Sequence, residues 1–292
     1  MKYKRFFGAF AVMAAMACGL AHAQTSTVEK ATDLSYGALP ADQFDVYKPA
    51  AATSLKTGGI VPTAPMIVMV HGGAWIIGDK SMDNVVTNKV KHYVQDKGFV
   101  LVSINYPMLP SADPYQQAQS VAQALAYIQA NAASYGGDAS RLILMGHSAG
   151  AHLVSLINSD PSLLVRARAR KPSVVVALDS AVYDVPVLMS SDHLSLYDRA
   201  FGTDKSFWVK ASPVQQIGAL SPKVPELSVC STRRDDSCPQ AKMFQIKAAK
   251  VGQSVNILPE DMTHSDINAQ LGADNDYTKA VDTYLRAQGF PL

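Results

Sequence analysis

The chain has 292 residues, with 26 Lys plus Arg against 24 Asp plus Glu, a formal net charge of +2 and 48% apolar residues. This length can bury a full core, and the apolar content is that of a globular protein rather than a disordered one. A charge so nearly balanced gives no electrostatic reason to expect nucleic acid or an anionic membrane as partner, and the basic cluster Arg166, Arg168, Arg170 and Lys171 reads as a solvated turn.

At the N-terminus, Lys2, Lys4 and Arg5 precede the apolar run Phe6–Leu20, which is too short for a comfortable membrane span, and Ala21-His22-Ala23 follows as a small-x-small cleavage site. Residues 1–23 therefore read as a signal peptide, 24–292 as one mature domain starting at Gln24, and the location as periplasmic or secreted. Lipid modification of Cys18 and an uncleaved anchor are the other readings of this segment. Export leaves Cys230 and Cys238, which are expected to pair in an oxidising compartment and close a short loop worth about 2–3 kcal/mol.

In chain order, Gln43–Tyr47 alternates like an early strand, and Ala50–Pro65 is a small, polar loop. Met66–Val70 is a continuous apolar run, as in a central parallel strand buried on both faces. A helix is expected at Val85–Gln95, a strand at Phe99–Ile104, and a helix at Ala118–Ala130 with Val121, Ala124, Leu125 and Ile128 on one face. Further strands are expected at Leu142–Met145, Val174–Leu178, Glu226–Cys230 and Val255–Leu258. Helices are expected at Ala241–Ala249 and Tyr277–Leu285. Strands alternating with helices predict an α/β fold with a doubly wound, mostly parallel sheet. Residues 186–225 break the rhythm and read either as a small cap over the site or as a packed helical insertion.

Two motifs carry chemistry. Gly146-His147-Ser148-Ala149-Gly150 follows one strand directly and opens a helix, the strand–turn–helix setting of a nucleophile elbow with Ser148 at its tip. His71-Gly72-Gly73-Ala74-Trp75 follows another strand, and its flexible backbone could aim amides at a developing oxyanion. The expected donors are Gly73, Ala74 and Ala149. A serine nucleophile needs a base and an orienting carboxylate, in the chain order Ser, Asp or Glu, His. Of the seven histidines only His193 and His264 follow the elbow at a distance, and His264 stands in a polar loop after the last expected strand. For the acid, Asp235 is expected, with Asp236 in reserve and Asp179 and Asp184 as outside alternatives. Cys230 and Cys238 bracket Asp235, so their bridge would fix its loop. No metal-ligand spacing such as CxxC or HExxH is present, and no cofactor is expected.

These two motifs, with Phe44-Asp45-Val46-Tyr47 and Tyr135-Gly136-Gly137-Asp138 ahead of them, resemble the hormone-sensitive-lipase-like esterases. They resemble more closely the bacterial feruloyl-esterase-like branch of the α/β hydrolases. The resemblance runs from about Leu34 to the end and implies an α/β-hydrolase fold and a serine esterase acting on a small-molecule ester. Two departures stand out. Ala74 replaces a third glycine, and Cys230-Ser231-Thr232-Arg233-Arg234-Asp235 is one residue longer than the family's acid loop. Short-acyl, acetylated-sugar, hydroxycinnamoyl and aromatic diester substrates all remain open. So do an amide hydrolase or exopeptidase with the same triad, and a catalytically silent binding protein on the same fold. Oligomeric state is not legible.

Overall fold

Strands whose every side chain is apolar have two faces to cover, so they belong at the centre of a sheet with helices on both sides. A computed structural model describes residues 27–50 and 63–292 of the chain and shows this arrangement. Among the described residues, eight strands form one sheet: β1 (Val28–Ser35), β2 (Gln43–Pro49), β3 (Ala64–Val70), β4 (Val100–Ile104), β5 (Gly137–His147), β6 (Val174–Leu178), β7 (Glu226–Ser231) and β8 (Val255–Glu260). Their spatial order is β1-β2-β4-β3-β5-β6-β7-β8. The first two strands run antiparallel to their neighbours and the rest are parallel. The expected doubly wound, mostly parallel sheet is therefore present. The signal segment, Cys18 and most of the expected loop after residue 50 lie outside the described residues.

The alternation along β3 sorts the core. Met66, Val68 and Val70 pack on one side of the sheet with helices α2 (Pro114–Asn131), α3 (Ala149–Ser159) and α4 (Pro161–Ala167). Ile67 and Met69 pack on the other side, against Tyr277, Val281 and Leu285 of α11 (Asp276–Ala287). α2 starts at a capping box, in which Asp113 accepts from the Gln116 N–H and the Gln116 side chain accepts from the Asp113 N–H, with Pro114 at the first helical position. The helix expected at Val85–Gln95 is α1 (Asp83–Lys89), continued in wider π-helical geometry over Val90–Asp96.

One element departs from expectation. β1 was not foreseen, because it is an edge strand with mostly exposed side chains and so has no apolar period to read. Residues 186–225 hold four short helices: α5 (Val185–Met189), α6 (Ser195–Phe201), α7 (Lys205–Lys210) and α8 (Pro213–Gln216). They are packed inward: Phe201 stands edge-on to Trp75 at 5.0 Å between ring centres, and Trp208 is buried with Nε1 donating to the carbonyls of Phe201 and Gly202.

Register decides where chemistry can collect. Val70 pairs with Gly146, His147 with Leu178, Leu178 with Val229, and Ser231 with Glu260. The C-terminal ends of β3, β5, β6, β7 and β8 therefore finish along one edge, where sites form in open α/β sheets.

One buried carboxyl sits at the opposite, N-terminal end of β7. Glu226 is fully buried and accepts from Ser155 Oγ at 2.6 Å and Asn158 Nδ2 at 2.9 Å. Burial outweighs these bonds and pushes its pKa up to about 7. Between the ordinary carboxylate range and pH 7 the folded chain holds a proton that the unfolded chain has lost. The resulting stabilisation is complete below the ordinary value and is lost as pH rises to about 7. Glu226→Gln keeps the shape without the ionisation. Its melting temperature relative to the native protein is expected to rise between pH 5 and pH 8, as thermal melts at both pH values would show; a constant gap would contradict the assignment.

Candidate active site

Ser148 sits at the junction of β5 and α3 with φ 55° and ψ −116°, a left-handed conformation that side chains other than glycine rarely adopt. The turn is held because the Ser148 N–H donates to the Leu178 carbonyl at 3.0 Å. Its glycines have a steric reason: a Cβ on Gly150 would lie 2.3 Å from the Val70 carbonyl oxygen of the neighbouring strand. Helix α3 can approach β3 only with hydrogen at that position.

The loop after β3 is also strained. Gly73 has φ 120°, and a Cβ there would collide with the Ile77 carbonyl. Ala74 and Trp75 follow at φ 53° and 62°. Positive φ at a bulky tryptophan persists only when its surroundings dictate it. Here Trp75 Nε1 donates to His152 Nδ1 at 3.2 Å, and the Trp75 carbonyl accepts from Gln117 Nε2 at 2.9 Å and from the Leu109 N–H at 2.9 Å. His152 donates from Nε2 to the Ala211 carbonyl at 2.7 Å, and burial pushes its pKa down to about 4, so its ring is the neutral one this chain of bonds needs. Trp75, Gln117 and His152 thus hold the glycine loop in place. Nothing in the local sequence announces this role, because it depends on contacts between distant segments.

His264 opens α10 (His264–Ala269) just after β8. Its Nε2 lies 2.9 Å from Ser148 Oγ and its Nδ1 2.5 Å from Asp179 Oδ2. His147 lies against it, with rings 4.6 Å apart and Nε2 donating to the His264 carbonyl at 2.9 Å. Burial first, and the neighbouring His264 second, push the His147 pKa down to about 3, so it serves as a neutral prop.

The carboxylate that meets His264 is Asp179, at the end of β6. The expected Asp235 is exposed and lines a separate groove with Asp192 and Asp236. Both aspartates lie between Ser148 and His264 in the chain, so order alone could not choose between them. β6 ends beside β5, and Asp179 turns inward at φ 49°, whereas Asp235 projects from the loop after β7. Asp179 is completely buried, which by itself would raise its pKa. Hydrogen bonds from His264, Ser237 and the Ser231 N–H, with the charge of Arg234, outweigh this and hold the carboxyl well below the ordinary carboxylate range.

Asp236 stays on the far side of Arg234, and Asp184 caps α5 while bonding Gln215. His193, the alternative base, bonds Asp198 and the Ser191 carbonyl. Cys230 and Cys238 are joined, as expected.

Ser148, His264, Gly73 and Ala74 all face one cavity of about 470 Å³. Its walls are largely apolar, with Trp75, Val85 and Ala181 inside and Ile77, Met82 and Leu194 exposed at the mouth. This is the size and character of a small-molecule site. Ala149 opens α3, where the first N–H groups have no intrahelical partner.

Known proteins match this chain in both sequence and fold. The family model described as BD-FAE matches residues 44–163. A "Probable isoprenylcysteine alpha-carbonyl methylesterase" of Oryza sativa subsp. japonica is 33% identical over 120 residues, 41% of this chain and 25% of that protein. A "Probable carboxylic ester hydrolase" of Mycobacterium tuberculosis is 28% identical over 243 residues, 78% of this chain and 54% of that protein. The chain thus spans about a quarter of the first of these relatives and about half of the second. Among solved structures, a truncated carbohydrate esterase from gut microbiota superposes with a TM-score of 0.71 at 17% identity, covering 91% of this chain and 98% of that one. With both glycine motifs inside the matched segment and the sheet order described above, the chain has the α/β-hydrolase fold, and over residues 44–163 it is similar to the family described as BD-FAE.

Proposed function

We propose that this protein is a serine hydrolase that cleaves carboxylic esters through an acyl-enzyme, with Ser148 as nucleophile, His264 as general base and Asp179 as the orienting carboxylate. The observation that carries the reading is the unbroken hydrogen-bonded relay from Ser148 Oγ through both ring nitrogens of His264 to Asp179. In this reading the Oγ proton passes to His264 Nε2 as Oγ attacks the ester carbonyl carbon. The Nδ1 proton stays on the ring, held by Asp179, whose charge stabilises the imidazolium. The N–H groups of Gly73, Ala74 and Ala149 receive the oxyanion, each such donor being worth about 3 kcal/mol in the transition state. His264 then protonates the leaving alcohol, and water releases the acid by the reverse steps. The ester-hydrolase relatives support the same conclusion.

The apolar cavity supports short-acyl or aromatic acyl groups, the hydroxycinnamoyl type among them, as substrates. A panel of p-nitrophenyl acetate, p-nitrophenyl octanoate, methyl ferulate and an acyl anilide tests this. The acetate and ferulate esters are expected to turn over fastest. Preference for the anilide over its ester analogue would transfer the reading to amide hydrolysis, and inertness toward every ester would end it.

A further inference from the structure

The loop between Cys230, near the end of β7, and Cys238, in the first turn of α9 (Ser237–Lys250), was expected to supply the acid. It supplies instead a set of donors aimed at an acid from elsewhere. The Ser231 N–H donates to Asp179 Oδ1 at 2.9 Å, and Ser237 Oγ donates to the same oxygen. Arg234 Nη1 donates to Asp179 Oδ2 at 3.0 Å, the oxygen that also takes the His264 bond. The same Nη1 lies 3.2 Å from His264 Nδ1, and Nη2 of the guanidinium reaches Asp236. All three donors come from residues within the span closed by one disulfide, eight residues apart.

We propose that this disulfide-closed loop is a carboxylate cradle and that Arg234 is its positioning residue, holding Asp179 against His264 and setting the lower pH limit at which His264 can act as base. The inference rests on the esterase reading above and adds to it a role for a loop that carries no member of the relay. Its physical basis is geometric and electrostatic. Hydrogen bonds to both carboxylate oxygens fix the plane of Asp179. A permanent cation 3.2 Å from Nδ1 repels positive charge that the ring acquires.

Other groups surround His264 without supplying this effect. His147, from β5, is neutral. Lys89 of α1 is buried on the Asn268 carbonyl and side chain, and burial pushes its pKa down to about 7. Asp236 offsets part of the Arg234 charge from its far side. Tyr197 of α6 spends its hydroxyl proton on the Ala181 carbonyl, and Arg233 with Asp261 forms an exposed pair beyond β8. His147, Lys89 and the Arg233–Asp261 pair are unchanged in an Arg234 variant, so their contributions cancel in the comparison, whereas Asp236 loses its partner and its freed charge acts in the same direction as loss of the guanidinium.

The test is the pH profile of kcat/KM for ester hydrolysis by the full chain, its Arg234→Met variant and its Arg234→Lys variant. A second readout is the low-field proton NMR resonance of His264 Nδ1–H. In Arg234→Met the acid limb is expected to move to higher pH by about one unit, the effect of one close like charge. The NMR resonance is expected to shift with it. Arg234→Lys retains a point charge and is expected to restore most of the limb. Reduction of the disulfide in the folded protein is expected to move the limb in the same direction as Arg234→Met. An acid limb and resonance unmoved in Arg234→Met would overturn the proposal, even if turnover fell. So would Arg234→Lys moving as far as Arg234→Met, or no response of the limb to reduction. If the native protein proves inert to esters, the functional reading fails separately, and the NMR resonance still decides whether Arg234 acts on His264.

Discussion

Ser148→Ala is expected to lower ester turnover on the order of a millionfold, to the residual level that a prepared site provides without its nucleophile. The expectation follows from geometry: Ser148 Oγ is the hydroxyl 2.9 Å from His264 Nε2, and the oxygen sits at the floor of the apolar cavity. The variant should fold normally. Alanine keeps the Cβ and therefore the same backbone strain at φ 55°, and the Ser148 N–H to Leu178 bond does not involve the side chain. A melting temperature within a few degrees of the native value, with turnover abolished, would separate chemistry from stability. Residual turnover within tenfold of native would assign the reaction to another nucleophile.

The second large effect discriminates between two aspartates. Asp179→Asn is expected to lower kcat about 10⁴-fold, whereas Asp235→Asn is expected to stay within about threefold of native. Asparagine at 179 is nearly the same shape, but its amide group can face His264 Nδ1 as a donor. The ring would then carry its proton on Nε2, pointing at Ser148 Oγ, and could no longer accept the hydroxyl proton. Arg234 would also lose the charge that it now bonds at 3.0 Å. Asp235 is exposed, and its carboxyl takes no part in the relay. Parallel kinetics of the two variants, each checked by thermal melting, test the assignment. Comparable losses in both, or a loss confined to Asp235→Asn, would return the acid to the loop after β7.

Much of this fold can be read locally. The continuous apolar runs Met66–Val70 and Val174–Leu178 are buried strands because nothing in them tolerates water on either face. The repeat Val121, Ala124, Leu125 and Ile128 buries one face of α2 because helical geometry brings those positions together. β1 lacked such a signal, since its partner β2 supplies its hydrogen bonds while its own side chains remain in solvent. The extension of β5 back to Gly137 was also hidden, because its first residues are polar and pair only at the edge of β3.

The site divides along the same line. Ser148 and the glycine loop were legible because each is a local motif, whose residue types answer a steric demand within a few positions. His264 was legible from chain order and from the polar loop around it. The acid was not. Asp179 and Asp235 both satisfy the order, both follow strands, and each has polar residues beside it. By itself the sequence determined the parallel sheet, the elbow at Ser148, the glycine loop after β3 and the pairing of Cys230 with Cys238, and it singled out His264. Only the tertiary structure decided which carboxylate lies under His264, and that the loop after β7 presents Ser231, Arg234 and Ser237 to Asp179. The physical reason is that a hydrogen bond between residues 85 positions apart is set by strand order, register and the turn at φ 49°, none of which is written in the residues flanking either partner.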